Sequence, residues 1–148
     1  MSLQEEIAAA LKDAMRVKDE LRVSSLRLLL TAMKKREKEV CRSLEDTEVM
    51  SVISSQIKQR REAIEQYRTA GREDLARVEE SELQVLQDFM PEQLSEEELA
   101  RVVDEIIAEL GATGMKDMGT VMKAAMSRLA GRADGKAINS LVRARLSS

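Results

Sequence analysis

Residues 95–111, Ser95-Glu-Glu-Glu-Leu-Ala-Arg-Val-Val-Asp-Glu-Ile-Ile-Ala-Glu-Leu-Gly111, contain a helix with both of its ends written out. Ser95, with Glu98 three residues on, is a capping box that satisfies first-turn amides left without intrahelical partners. Leu99, Val102, Val103, Ile106, Ile107 and Leu110 then recur at the spacing of one helix face. Gly111 stands where the chain takes the left-handed turn that closes a helix.

The same grammar extends in both directions. Towards the N terminus, Pro91 ends a helix of about Glu73 to Phe89, whose apolar positions include Leu75, Val78, Leu86 and Phe89. Before it, a long helix from about Asp46 to Ala70 carries Val49, Ile53, Ile57, Ile64 and Tyr67, with Gly71 as its left-handed terminator. A helix of about Glu20 to Cys41 bears Leu26, Leu28, Leu29, Leu30, Ala32 and Met33, a spread that predicts burial on several sides. The first helix starts at Ser2, with Glu5 completing its capping box. Beyond Gly111 come helices of about Met115 to Leu129 and about Asp134 to Leu146. The predicted fold is all-α: an N-terminal module of about four helices in residues 1–90, then a three-helix module in residues 91–148.

Composition supports that class. The chain has 148 residues with six Gly and one Pro, too few turn formers for a sheet protein. It has no Trp, one Tyr, one Phe and nine Met, so its cores are aliphatic. No His is present, which removes imidazole acid–base chemistry and His-ligated metal sites, and Cys41 alone can form neither an internal disulfide nor a zinc knuckle. One cysteine, no signal-like segment and no long apolar run predict a cytoplasmic protein away from membranes.

Charge divides the chain unevenly. Residues 1–110 carry 17 Lys and Arg against 25 Asp and Glu, while residues 111–148 carry seven against two, so a tail of +5 follows a body of −8 within a net −3. The tail's cations are Lys116, Lys123, Arg128, Arg132, Lys136, Arg143 and Arg145. One reading is solvation and compensation of helix C-terminal charge, which suits Arg143 and Arg145. The other is a surface that tracks phosphates, with Arg132, Lys136 and the first amides of the last helix holding one of them. Asp134 competes for those amides as an N-cap. No aromatic residues interleave the cations, so RNA contact would be to backbone and shape rather than stacked bases.

Other constellations fall to simpler explanations. Gly114 to Gly119 has the glycine spacing of a phosphate loop but Thr120 in place of Lys; Gly131 to Lys136 has the Lys but a shortened spacing and Ala137 after it. Neither follows a strand, and no cofactor is expected. Glu79-Glu80 and Glu96-Glu97-Glu98 read as solvated helix faces and helix-start charges. Ser24-Ser25 lies within a helix without a neighbouring base. Met115, Met118, Met122 and Met126 read as core, with an adaptable groove for a partner helix as the alternative.

Gly119-Thr-Val-Met122-Lys123, Met126, Gly131-Arg-Ala-Asp134-Gly135-Lys136, Asn139 and Leu141-Val142 together resemble the C-terminal module of the GatB/YqeY family. Leu26-Arg-Leu-Leu29, Gln59 to Tyr67, Ala70 to Leu75 and Met90 to Ser95 resemble the stand-alone YqeY proteins, so the likeness covers essentially the whole chain. It implies a helical module followed by a three-helix module. In amidotransferases that convert misacylated Glu-tRNA(Gln) or Asp-tRNA(Asn), the corresponding region is the B subunit's tail, which helps grip tRNA away from the kinase and transamidation chemistry. The resemblance thus implies a tRNA-binding or amidotransferase-associated module without catalytic machinery of its own. Its alternatives are a protein adaptor using the Met-bearing groove or the long third helix, and an accessory subunit in glutamine-dependent carbon–nitrogen ligation. Within the motif, Gly119 is expected to permit close helix approach, Gly131 to end a helix, Asp134 to cap the next, and Asn139 to tie that helix to the turn before it.

Overall fold

The computed structural model describes residues 1–147, and their regular structure is entirely helical: α1 (Leu3–Arg16), α2 (Glu20–Val40), α3 (Asp46–Thr69), α4 (Glu73–Gln87), α5 (Glu96–Leu110), α6 (Met118–Arg128) and α7 (Gly135–Leu146). A single 3-10 turn, Met115–Asp117, precedes α6, so the sixth helix begins later than its sequence pattern predicts. The chain divides into two compact units, Met1–Met90 and Pro91–Ser148.

Local chemistry sets the helix ends. Ser2 and Ser95 each accept a hydrogen bond from the third amide of their helix, at 3.1 and 3.2 Å. Glu45, rather than a hydroxyl residue, caps α3 through a reciprocal box with Glu48. Gly71 and Gly111 adopt positive φ where α3 and α5 stop. The end of α1 uses the same left-handed geometry with Lys18 at φ 60°: its amide donates to Met15 and that of Asp19 to Ala14. A side chain there carries strain that glycine would not.

In the first unit, α2 packs against α1, α3 and α4, and α3 forms a long antiparallel hairpin with α4. Its core is aliphatic, centred on Ile7, Leu26, Leu29, Met33, Val49, Ile53 and Leu86. The breadth of burial expected for α2 is met in part, with Val23 and Leu30 also packed against the core. Ser25, Leu26, Leu29 and Met33 face inward, while Leu28 is 52% exposed on the side away from α1, α3 and α4. Val78 of α4 is likewise exposed, and Ala76 and Val85 with Leu86 form the buried stripe instead.

The second unit is a three-helix bundle in which α5, α6 and α7 all touch one another. Leu99, Val103 and Ile106 meet Val121, Ala125 and Leu129, with Ile138, Val142 and Leu146 closing the core. The methionines of α6 and of the turn before it lie beside that stripe rather than in it. Met118 and Met122 pack against the core from its edge, while Met115 and Met126 are exposed, so the reading of the four as core holds for two of them and fails for the other two.

Candidate nucleic-acid interface

Helices α6 and α7 contain no acidic residue. The two carboxylates of the tail lie just before these helices, and both are taken up by backbone amides. Asp117 accepts from the Thr113 amide at 3.0 Å, and Asp134 caps α7 by accepting from the Lys136 amide at 3.3 Å. The Asp134 carboxylate therefore sits at the amides a phosphate would need, and the single-phosphate pocket of Arg132, Lys136 and helix N-terminus is not formed.

The seven tail cations separate into two groups. Arg128 donates to Glu109 at 2.6 Å, and Arg145 to Asp104 at 2.9 Å, so both brace α6 and α7 against α5. The hydrogen bond from Arg128 holds the Glu109 carboxyl below the ordinary glutamate range, against a smaller opposing effect of desolvation. Arg132 points its Nε at the Glu92 carbonyl, 3.5 Å away. Beside it, the Leu94 amide donates to the Arg132 carbonyl at 2.9 Å and Gln93 Nε2 to the Gly131 carbonyl at 2.5 Å. The Pro91–Ser95 segment is thus stitched to the α6–α7 turn. Gly131 enables that turn with φ 73°.

Lys116, Lys123, Lys136 and Arg143 make no ion pair among the described residues, and all four are exposed. Lys123 lies about 200° around α6 from the buried Val121, on the outer side. Lys136 and Arg143 are seven residues apart and share the outer flank of α7. Arg128 and Arg145 lie on the flanks turned to α5, whereas Met126 approaches Gly135 of α7 from the opposite flank. Helical geometry therefore places Lys123, Lys136 and Arg143 along the α6–α7 hairpin on its side away from α5.

Gly119 lies one turn before Lys123 on that face, and a Cβ added there would meet nothing within 4 Å. The expected close helix approach at Gly119 is absent. At Gly135 a Cβ would meet the end of the Met126 side chain at an ordinary contact distance of 3.4 Å. Asn139 is half-buried and makes no side-chain hydrogen bond among the described residues, so the expected tie to the preceding turn is not made.

In the first unit the acidic pairs also find partners. Arg60, 8% exposed, lies between Glu79, at 2.9 Å, and Glu82. Arg68 reaches Glu73 and Glu80. Glu79 is thus a partly buried counter-ion across the α3–α4 hairpin, whereas Glu80 stays on the solvated face and pairs there with Arg68. Sequence reading missed Arg60, whose partners lie 19 and 22 positions away. No group of three or more His, Cys, Asp or Glu side chains is placed to hold a metal among the described residues, and no helix there is long and apolar enough to cross a membrane.

Comparison with known families matches residues 4–146 to the family described as Yqey-like protein. The chain belongs to the YqeY-like family. Among similar proteins, an uncharacterised protein of Schizosaccharomyces pombe is 37% identical over 94 residues, 64% of this chain and 76% of that one. Altered inheritance of mitochondria protein 41, a mitochondrial protein of Pyrenophora tritici-repentis, is 33% identical over 129 residues, 86% of this chain and 71% of its own. One subunit of the glutamyl-tRNA(Gln) amidotransferase of Thermococcus gammatolerans is 42% identical over 72 residues, 46% of this chain but 12% of that polypeptide. The YqeY-like chain therefore shares a segment with part of a tRNA-dependent amidotransferase and spans only a small fraction of the polypeptide it matches.

Proposed function

We propose that this YqeY-like protein is an accessory RNA-binding module that grips the sugar-phosphate backbone of tRNA through the outer face of α6–α7. The observation that carries the reading is the set of unpaired cations Lys123, Lys136 and Arg143 on two helices without a single carboxylate, with Lys116, also unpaired, in the 3-10 turn before them. A surface of this kind gains from a polyanion what it lacks internally, because each phosphate contact releases condensed counterions. The similarity to part of a glutamyl-tRNA(Gln) amidotransferase supports tRNA as the RNA class and tRNA amidation machinery as its setting. Arg128 and Arg145 serve the bundle, and Arg132 the α6–α7 turn, so they are secondary to binding in this reading. The test is tRNA binding at two salt concentrations by wild type and by Lys123→Gln/Lys136→Gln/Arg143→Gln. Three lost phosphate contacts should flatten the log–log salt slope by about 2 units. A wild-type protein that binds no tRNA at low salt would end the proposal.

A second reading, protein docking, is favoured by a different surface. Met15, Val17, Leu21 and Leu28 are all exposed around the α1–α2 corner, where Met15, Val23 and Leu28 line an open groove. A protein partner recovered from ribonuclease-treated extract and lost on Leu28→Asp would support that reading.

A further inference from the structure

Helix α2 belongs to the acidic part of the chain, yet its outer face is basic. Arg27, Thr31, Lys34 and Lys38 follow one another at i, i+4, i+7 and i+11, which places them within about 40° of a single line along the helix. That line lies opposite Ser25, Leu26, Leu29 and Met33, the residues α2 buries. Arg27, Lys34 and Lys38 are exposed and make no ion pair among the described residues, and the same holds for Lys35 beside them.

Other arginines of this segment behave differently. Arg22 is held by Asp88 at 3.9 Å, Arg36 by Glu39 at 2.9 Å and Arg42 by Glu48 at 2.6 Å. The two carboxylates within residues 27–38 and its immediate flank are also engaged away from the line, Glu37 with Gln4 and Glu39 with Arg36. Glu20 is the acidic residue on the line itself, about two turns before Arg27. Thr31 is tied to the Arg27 carbonyl at 2.9 Å. From Arg27 to Lys38 the line runs about 16 Å along the helix axis. Like charges one turn apart, as at Lys34 and Lys38, repel and weaken a free helix. A polyanion laid along the line removes that repulsion.

We infer that the outer face of α2 is a second RNA-backbone contact, in which Arg27, Lys34 and Lys38 meet phosphates of one strand. The inference rests on the RNA-binding reading of α6–α7 and adds a surface to it. A membrane of anionic lipid offers related charge but requires apolar anchors, and between Arg27 and Lys38 only Leu28 is a large apolar residue left exposed.

The experiment uses the full chain with a tRNA transcript, comparing wild type, Arg27→Gln/Lys34→Gln/Lys38→Gln and the charge-retaining Arg27→Lys/Lys34→Arg/Lys38→Arg. The neutralised variant should bind about 10-fold or more weakly at low salt, with the salt slope reduced by about 2 units, and the charge-retaining variant should bind like wild type. Loss in the charge-retaining variant as well would overturn the inference. Wild-type affinity in the α2 variant, beside loss in the Lys123→Gln/Lys136→Gln/Arg143→Gln variant, would reject the α2 contact and leave the α6–α7 reading standing. No RNA binding by wild type would remove both. Unchanged RNA affinity with lost binding to phosphatidylserine vesicles would overturn the inference in favour of a lipid surface.

Discussion

The two helical hairpins of this protein, α3–α4 and α6–α7, use their cations in opposite ways. Across α3–α4, Arg60 and Arg68 reach glutamates of the facing helix, and Arg60 is buried in doing so. Across α6–α7 there is no carboxylate to reach, and Lys123, Lys136 and Arg143 turn outward. The difference teaches that a count of charges does not locate a binding face. The two hairpins differ in whether each cation's counter-ion lies within the protein.

Substituting Arg60 should give the largest effect. Arg60→Ala leaves Glu79 and Glu82 partly buried without a partner, and should cost about 3 kcal/mol in urea unfolding. Lys123→Ala, on the other hairpin, should stay within about 0.5 kcal/mol of wild type. Equal costs at the two sites would break the comparison.

The glycines of α6 and its turn should move stability in opposite directions. Gly131 has φ 73°, so Gly131→Ala should destabilise by about 1 kcal/mol. Gly119 is helical with open space at its Cβ, so Gly119→Ala should stabilise by about 0.5–1 kcal/mol. If RNA approaches the backbone at Gly119, the same variant should bind tRNA more weakly despite its greater stability. Melting and binding measured on one preparation sharpen the assignment.

The smallest effect concerns Glu109. Its carboxyl is depressed in the folded state, so the stability it adds is present above the ordinary glutamate range, about pH 4.3, and is lost as pH falls through the folded value. A nuclear magnetic resonance titration should find the Glu109 midpoint below that range in wild type. In Arg128→Gln the midpoint should rise, since the hydrogen bond that lowers it is gone.

Helix ends were legible in the sequence because capping is local. Ser2, Ser95 and Asp134 act through amides two or three residues away, and Gly71, Gly111 and Gly131 through their own dihedrals. Which side of a helix is buried was less legible, because it depends on neighbours. Leu28 and Val78 look like core by spacing, yet both are exposed on the faces their helices turn away from the core of the first unit. The Met series misled in part for the same reason, since Val121, Ala125 and Leu129 form the buried stripe, Met118 and Met122 pack at its edge, and Met115 and Met126 are exposed. At the candidate interface the residue types were visible and the partnerships were not. Arg132 to Glu92 spans 40 positions and Arg145 to Asp104 spans 41, and no periodicity connects residues so distant.

The most direct measurement is the salt dependence of tRNA binding for two triply neutralised variants. Lys123→Gln/Lys136→Gln/Arg143→Gln removes unpaired cations of α6–α7, and Arg68→Gln/Arg72→Gln/Arg77→Gln removes cations that Glu73, Asp74 and Glu80 already neutralise. Phosphate contact by unpaired cations alone should make the first flatten the log–log slope by about 2 units and the second leave it at the wild-type value. Equal slopes for the two variants, or a larger change in the second, would contradict it.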